Sequence, residues 1–135
     1  MKFNIDSENS KKQFEIHIFR AKEDLKEAEI LFEENSFRGA VSRAYYGFFE
    51  AAHAALITKG ITAKTHAGVI AQFSLSFIKT KKIPVKFIRF FKEAEKAREE
   101  ADYQFLKEFK KEEAENIIKT TKEFIEVIEK EFSKK

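Results

Sequence analysis

Apolar residues recur with the period of an α-helix through most of this chain, and few residues interrupt them. Four Gly and one Pro in 135 residues are too few for the tight turns of an all-β fold. The chain is long enough to bury one hydrophobic core and short enough to be a single domain. We therefore predict an all-α fold, an up-and-down bundle of about five helices, in one domain over residues 1–135.

Breaks and caps place the bounds of these helices. Asn35-Ser36 is a short break that favours an antiparallel helix pair, and Gly60 suits the left-handed position after a helix. Thr65 is a plausible N-cap, and Pro84 suits a first helical turn. Residues 1–8 are expected to form a loose arm, and residues 103–110 either a loop or a short turn of helix. The predicted helices cover residues 10–34, 37–60, 66–79, 84–102 and 111–132.

The second predicted helix has two different faces. One is a broad apolar arc, whereas the opposite face combines small residues with one cation, Arg43, and one carboxylate, Glu50. The small residues are Gly39, Ala40, Gly47 and Ala54. Such a furrow indicates close approach by another helix, a second subunit or a ligand. Arg43 and Glu50 either pair with each other, find partners on other helices, or leave Arg43 free to bind a phosphate.

Lys and Glu supply most of the charges, so an Arg or Asp in mid-helix needs a specific reason. Arg43, Arg98 and Asp102 meet this criterion. Arg98 and Asp102 lie four apart in the weaker order for a local ion pair, so partners elsewhere are expected. A surface ion pair is the simpler alternative, and Tyr103 follows directly.

Other candidates lie along the same helices and their caps. Tyr46 and His53 extend the polar rim of the furrow, and His53 could titrate near neutral pH. Lys64 and His66 flank Thr65, where backbone N–H groups could hold an anion; simple capping is the alternative. His17 has no partner within sequence reach.

A basic turn at 79–82, with Lys86, is either solvated charge or a contact for RNA phosphates.

Several function classes lack their signatures. Without Cys there is no thiol nucleophile, disulfide or thiolate metal site. No His-x3-His spacing, phosphate-binding Gly loop or nucleophile elbow occurs, so we predict neither a metal site nor a cofactor. The formal net charge of +3 permits nucleic-acid binding without arguing for it. No membrane span is expected, and a cytoplasmic protein is the default.

Three motifs in order resemble the HEPN superfamily, in particular its small stand-alone UPF0332 type. They are SRAYYGFFEAAHAAL at 42–56, KTHAGVIAQF at 64–73 and REEADY at 98–103. The resemblance spans residues 10–130 and implies a helical bundle that commonly forms homodimers. It also implies RNA or nucleotide binding, often in toxin–antitoxin systems beside a minimal nucleotidyltransferase.

The nuclease members of that superfamily carry Arg, four to six residues, then His. Arg43 matches the Arg, but Glu50 follows after six residues and His53 only after nine. We therefore expect a binding module lined by Arg43, Glu50 and His53, with other residues at its rim. These are Tyr46, Lys64, His66, Arg98, Asp102 and Tyr103. A weak metal-independent ribonuclease using Arg43 with His53 or His66 is the second hypothesis, and a furrow that only seats a second subunit is the third.

Overall fold

The computed structural model describes residues 8–132 as a bundle of five α-helices. The helices are α1 (Glu8–Glu33), α2 (Phe37–Ile57), α3 (His66–Phe73), α4 (Lys86–Tyr103) and α5 (Lys111–Phe132). A π-helical turn, Ser74–Ile78, continues α3. The all-α prediction is confirmed. Residues 1–7 of the predicted arm lie outside the described part, while Glu8, which was assigned to that arm, already belongs to α1.

Two of the predicted caps, Gly60 and Thr65, occur at the end of α2 and the start of α3. Gly60 adopts a φ of 71°, and the N–H of Ile61 bonds back to the carbonyl of Leu56 at 3.1 Å, which closes the end of α2. Thr65 caps α3 by accepting the Gly68 N–H at 2.9 Å. The start of α4 was predicted two residues too early, because Pro84 lies in the turn before the helix and accepts the N–H of Phe87.

The second helix is the centre of the bundle. It contacts α1, α3, α4 and α5, and both of its faces are buried. On the apolar side, the rings of Phe48 and Phe124 stack with their centroids 4.0 Å apart. Burying aromatic rings in this way supplies much of the energy that holds such a core together.

The furrow of small residues is filled by this chain itself. A Cβ added at Gly47 would lie 3.1 Å from the carbonyl oxygen of Ala21 on α1 and 3.5 Å from Cγ2 of Thr121 on α5. Ala40 and Ala54 are fully buried. The furrow therefore lets α1 and α5 approach α2 closely, and the expectation that it seats a second subunit is wrong for this face.

None of the helices within residues 8–132 is both long and apolar enough to cross a membrane.

Candidate functional site

Arg43 pairs across the helix hairpin with acidic residues of α1. Its Nη2 donates to Oδ1 of Asp24 at 2.6 Å, and its Nε lies 3.4 Å from Oε1 of Glu27. The guanidinium also lies 5.4 Å from the ring centroid of Tyr46. Burial raises the pKa of the Asp24 carboxyl, although Arg43 opposes that shift. Of the three charge arrangements left open by the sequence, the one seen is that with partners on another helix, and Arg43 and Glu50 do not pair with each other.

Glu50 instead belongs to a cluster with two histidines. Its Oε1 lies 2.6 Å from Nδ1 of His17 on α1, and the His17 and His53 ring centroids are 4.6 Å apart. Burial, followed by the neighbouring His17, lowers the pKa of His53. His17, which has no partner within sequence reach, is thus brought into the cluster by the packing of α1 on α2. We call these three residues the His17 cluster.

His66 stands at the start of α3 against aromatic residues of α2. Its Nδ1 is hydrogen-bonded to the hydroxyl of Tyr45 at 2.9 Å, and its ring centroid is 4.4 Å from that of Phe49. The Tyr46 ring meets it edge-on at 6.2 Å. Burial and then the charge of Arg98 lower the pKa of His66, which favours the neutral imidazole at pH 7.

Arg98 reaches the same aromatic group from α4. Its guanidinium carbon lies 5.2 Å from the Tyr45 ring centroid, and its side chain is only 9% exposed. Its Nη1 lies 3.4 Å from Oδ2 of Asp102, whose other oxygen accepts from the Ser42 hydroxyl at 3.1 Å. Both the local ion pair and partners on α2 therefore exist, and the alternative of a surface ion pair is wrong because Arg98 is buried.

We call the aromatic and cationic group around α3 the His66 centre. Its members are Tyr45, Tyr46, Phe49, His66 and Arg98. Arg43 borders it through the Tyr46 ring, and Asp102 borders it through Arg98. The Tyr46, Phe49 and His66 side chains are partly accessible, whereas Tyr45 is fully buried beneath them. This arrangement combines aromatic rings, an imidazole held by a hydrogen bond, and two guanidinium groups that each lie near a tyrosine ring.

The remaining predicted site residues lie elsewhere or at the edge. Glu50 and His53 belong to the His17 cluster rather than to the His66 centre. Lys64 is exposed just before the Thr65 cap, and Tyr103 is 72% exposed at the end of α4.

The basic turn is partly neutralised. Nζ of Lys86 lies 2.6 Å from a Glu123 carboxylate oxygen, and Nζ of Lys82 lies 3.8 Å from Glu131.

Arg38 has a structural role that the sequence analysis did not predict. Its Nη1 donates to the carbonyls of Ala101 at 2.6 Å and Glu100 at 3.3 Å, at the end of α4. Its Nη2 donates to the carbonyls of Phe105, at 3.1 Å, and Lys107. Its partners are backbone carbonyls, which every residue has, so the sequence does not show where they lie. The one available sign was that Arg38 is an Arg in a chain that mostly uses Lys. Arg38 fixes the segment that carries Asp102 to the start of α2.

The fold and these clusters define a small helical-bundle domain with one polar cluster between α1 and α2 and another between α2, α3 and α4. A model of the HEPN domain matches residues 14–131. The chain therefore belongs to the HEPN family, as its three motifs predicted.

Similar proteins come from archaea and bacteria. "Putative toxin MJ0142" of Methanocaldococcus jannaschii is 37% identical over 118 residues, which cover 87% of this chain and 80% of that protein. "Putative toxin MJ0605" of the same organism is 42% identical, with 82% and 81% of the two chains covered. A UPF0332 protein of Thermotoga maritima is 34% identical, with 82% and 84% covered. These matches confirm the UPF0332-type resemblance.

Proposed function

We propose that this chain is a toxin-like HEPN module that binds RNA or a nucleotide at the His66 centre. The observation that carries the proposal is a set of partly accessible rings, Tyr46, Phe49 and His66. The Arg43 guanidinium lies near the Tyr46 ring, and the Arg98 guanidinium lies near the Tyr45 ring beneath them. Unstacked bases bind to aromatic faces, and guanidinium groups bind phosphates. In this proposal Lys64, Asp102 and Tyr103 form the outer rim.

Arg43 is accessible to such a ligand. Its side chain is 39% exposed, and its present partners are the carboxylates of Asp24 and Glu27. A phosphate that approaches along the Tyr46 ring would replace one of these carboxylates. Because Glu95 and Glu99 lie close enough to influence His66, the net positive charge of the centre is small. Stacking is therefore expected to contribute more to affinity than charge does.

The binding test uses fluorescence anisotropy with a short labelled single-stranded RNA and with a nucleotide. Tyr46→Ala should remove about 1–3 kcal/mol of binding energy, and its control is Phe105→Ala, an aromatic residue 86% exposed outside the centre. Arg43→Ala should weaken binding and flatten its salt dependence, and its control is the exposed Arg89→Ala. Equal affinities of the wild-type protein and the Tyr46 and Arg43 variants would contradict the proposal.

The second candidate function is a metal-independent ribonuclease, which the state of His66 favours. A neutral imidazole is the form that acts as a general base towards a 2′-hydroxyl. For Nε2 to accept that proton, Nδ1 must carry its own proton and donate it to the Tyr45 oxygen, 2.9 Å away. Arg98 or Arg43 would then stabilise the charge on the phosphorane.

Cleavage that persists in EDTA and disappears in His66→Gln would support this activity. The alternative assignment with His53 predicts loss in His53→Gln instead. RNA that stays intact with excess protein would leave only the binding function, and cleavage that survives both variants would reject the ribonuclease hypothesis.

The partners of this module are also part of the proposal. Two relatives carry the name "Putative toxin", which supports an antitoxin protein as partner. The family resemblance suggests a minimal nucleotidyltransferase in that role. A homodimer is proposed as well, through a surface other than the filled furrow of α2. Co-purification with the product of the neighbouring gene tests for the antitoxin partner, and light scattering of the purified chain tests for the homodimer.

A further inference from the structure

The His17 cluster brings together three side chains that are good ligands for a transition metal. Two imidazoles and one carboxylate each offer a ligand atom, and these atoms all lie within 4.8 Å of one another. The closest two, Nδ1 of His17 and Oε1 of Glu50, are 2.6 Å apart. This combination of two His and one carboxylate suits ions such as Zn²⁺, Co²⁺ and Ni²⁺ better than Mg²⁺ or Ca²⁺, which prefer oxygen.

The helices hold these ligands in place from two sides. Glu50 and His53 are three positions apart on α2, so both side chains project from the same face within one turn. His17 faces them from α1, which packs against α2 along the hairpin. The side chains are partly shielded, with His17 14% exposed and Glu50 23% exposed, so solvent still reaches the cluster. An ion can enter without unfolding either helix.

The distances require only side-chain adjustment. Zn²⁺ holds imidazole nitrogen and carboxylate oxygen at about 2.0–2.2 Å, so bound ligand atoms lie roughly 3–3.5 Å apart. The 2.6 Å contact between His17 and Glu50 would open slightly, and the wider separations, at most 4.8 Å, would close. In this proposal, rotation about the side-chain bonds of His17 and His53 supplies both changes. Three protein ligands leave at least one position for water.

From this arrangement we propose that His17, Glu50 and His53 bind one divalent transition-metal ion, such as Zn²⁺, between α1 and α2. The ion joins the two helices of the hairpin, so it stabilises the folded state by binding to it and not to the unfolded chain. This site is separate from the His66 centre and does not depend on the proposed RNA binding. From the sequence we predicted no metal site, because His17 and Glu50 are 33 positions apart and form no ligand-spacing motif.

The test uses protein without a histidine tag, treated with EDTA and then freed of it. Titration with Co²⁺ should give visible d–d absorption that saturates at one ion per chain, and Zn²⁺ should displace it. The melting temperature should rise with added Zn²⁺. His17→Gln and His53→Gln each remove one of the three ligands, so each should weaken metal binding about tenfold or more. His66→Gln, which changes the third histidine of the chain, should bind like wild type.

A measurement on the wild-type protein avoids any effect of these variants on folding. In a ¹H–¹³C NMR spectrum, Zn²⁺ should shift the imidazole signals of His17 and His53 and leave those of His66 in place. Absence of Co²⁺ absorption together with an unchanged melting temperature would overturn the proposal. So would binding that is lost in His66→Gln and kept in His17→Gln and His53→Gln.

Discussion

Replacement of Arg38 tests how the end of α4 is held against α2. The fork of Arg38 donates to four carbonyls, with the Ala101 bond at 2.6 Å, the Phe105 bond at 3.1 Å and the Glu100 bond longer at 3.3 Å. A hydrogen bond from a charged donor contributes about 1.5–3 kcal/mol when buried, but this side chain is only half-buried and loses rotamer freedom. We therefore expect Arg38→Ala to lower the free energy of unfolding by about 2 kcal/mol.

Arg38→Lys separates the charge from the fork. The ammonium keeps a favourable interaction with the C-terminal end of α4, about 0.3–1 kcal/mol, but it cannot reach four carbonyls at once. Its expected loss is therefore about 1 kcal/mol, between wild type and Arg38→Ala. The exposed Arg89→Ala is the control and should change stability by less than about 0.5 kcal/mol.

Urea unfolding followed by circular dichroism measures these differences, provided the slope of the transition is unchanged. Hydrogen exchange locates them: the amides of Gln104 and Lys107, now bonded to carbonyls at 2.9 and 3.1 Å, should exchange faster in Arg38→Ala. If Arg38→Ala is as stable as Arg89→Ala, then Arg38 does not hold the end of α4 against α2.

Two further predictions concern α2 and α3. Gly47→Leu should destabilise the chain by about 2–3 kcal/mol or more, because even a Cβ would lie 3.1 Å from the Ala21 carbonyl oxygen. Thermal unfolding measures this loss of stability. A variant that loses a dimer but keeps its stability would contradict the prediction. For His66 the folded-state pKa lies below the unfolded value, so the unfolded state binds more protons as the pH falls. The free energy of unfolding should therefore decrease as the pH falls below about 6.5, and it should decrease less steeply in His66→Gln. If urea unfolding at several pH values gave the same pH dependence for both proteins, the lowered pKa of His66 would be contradicted.

The fold was predictable because its signals are local. The helical period of the apolar residues and the caps at Gly60 and Thr65 are all read within a few positions of the helix they define. The bounds of α5, 111–132, were predicted as they occur. The early start given to α4 came from Pro84, which is as compatible with the turn before a helix as with its first turn.

The clusters were less predictable because they depend on pairs that are distant in sequence. Arg43 and Glu50 are aligned on α2, but their partners, Asp24 and His17, come from α1. A furrow of Gly and Ala shows that something approaches closely, yet the pattern is the same for a neighbouring helix of the chain as for a second subunit. The rarity of Arg did identify Arg98 correctly as a residue with specific contacts.

The most direct test of the proposed function is to locate bound RNA on the protein by NMR. Titrating a short single-stranded RNA into ¹⁵N-labelled protein should shift the amide signals around Tyr46, His66 and Arg98. Shifts confined to the basic turn at 79–82, or no shifts at all, would contradict the proposal that the His66 centre is the binding site.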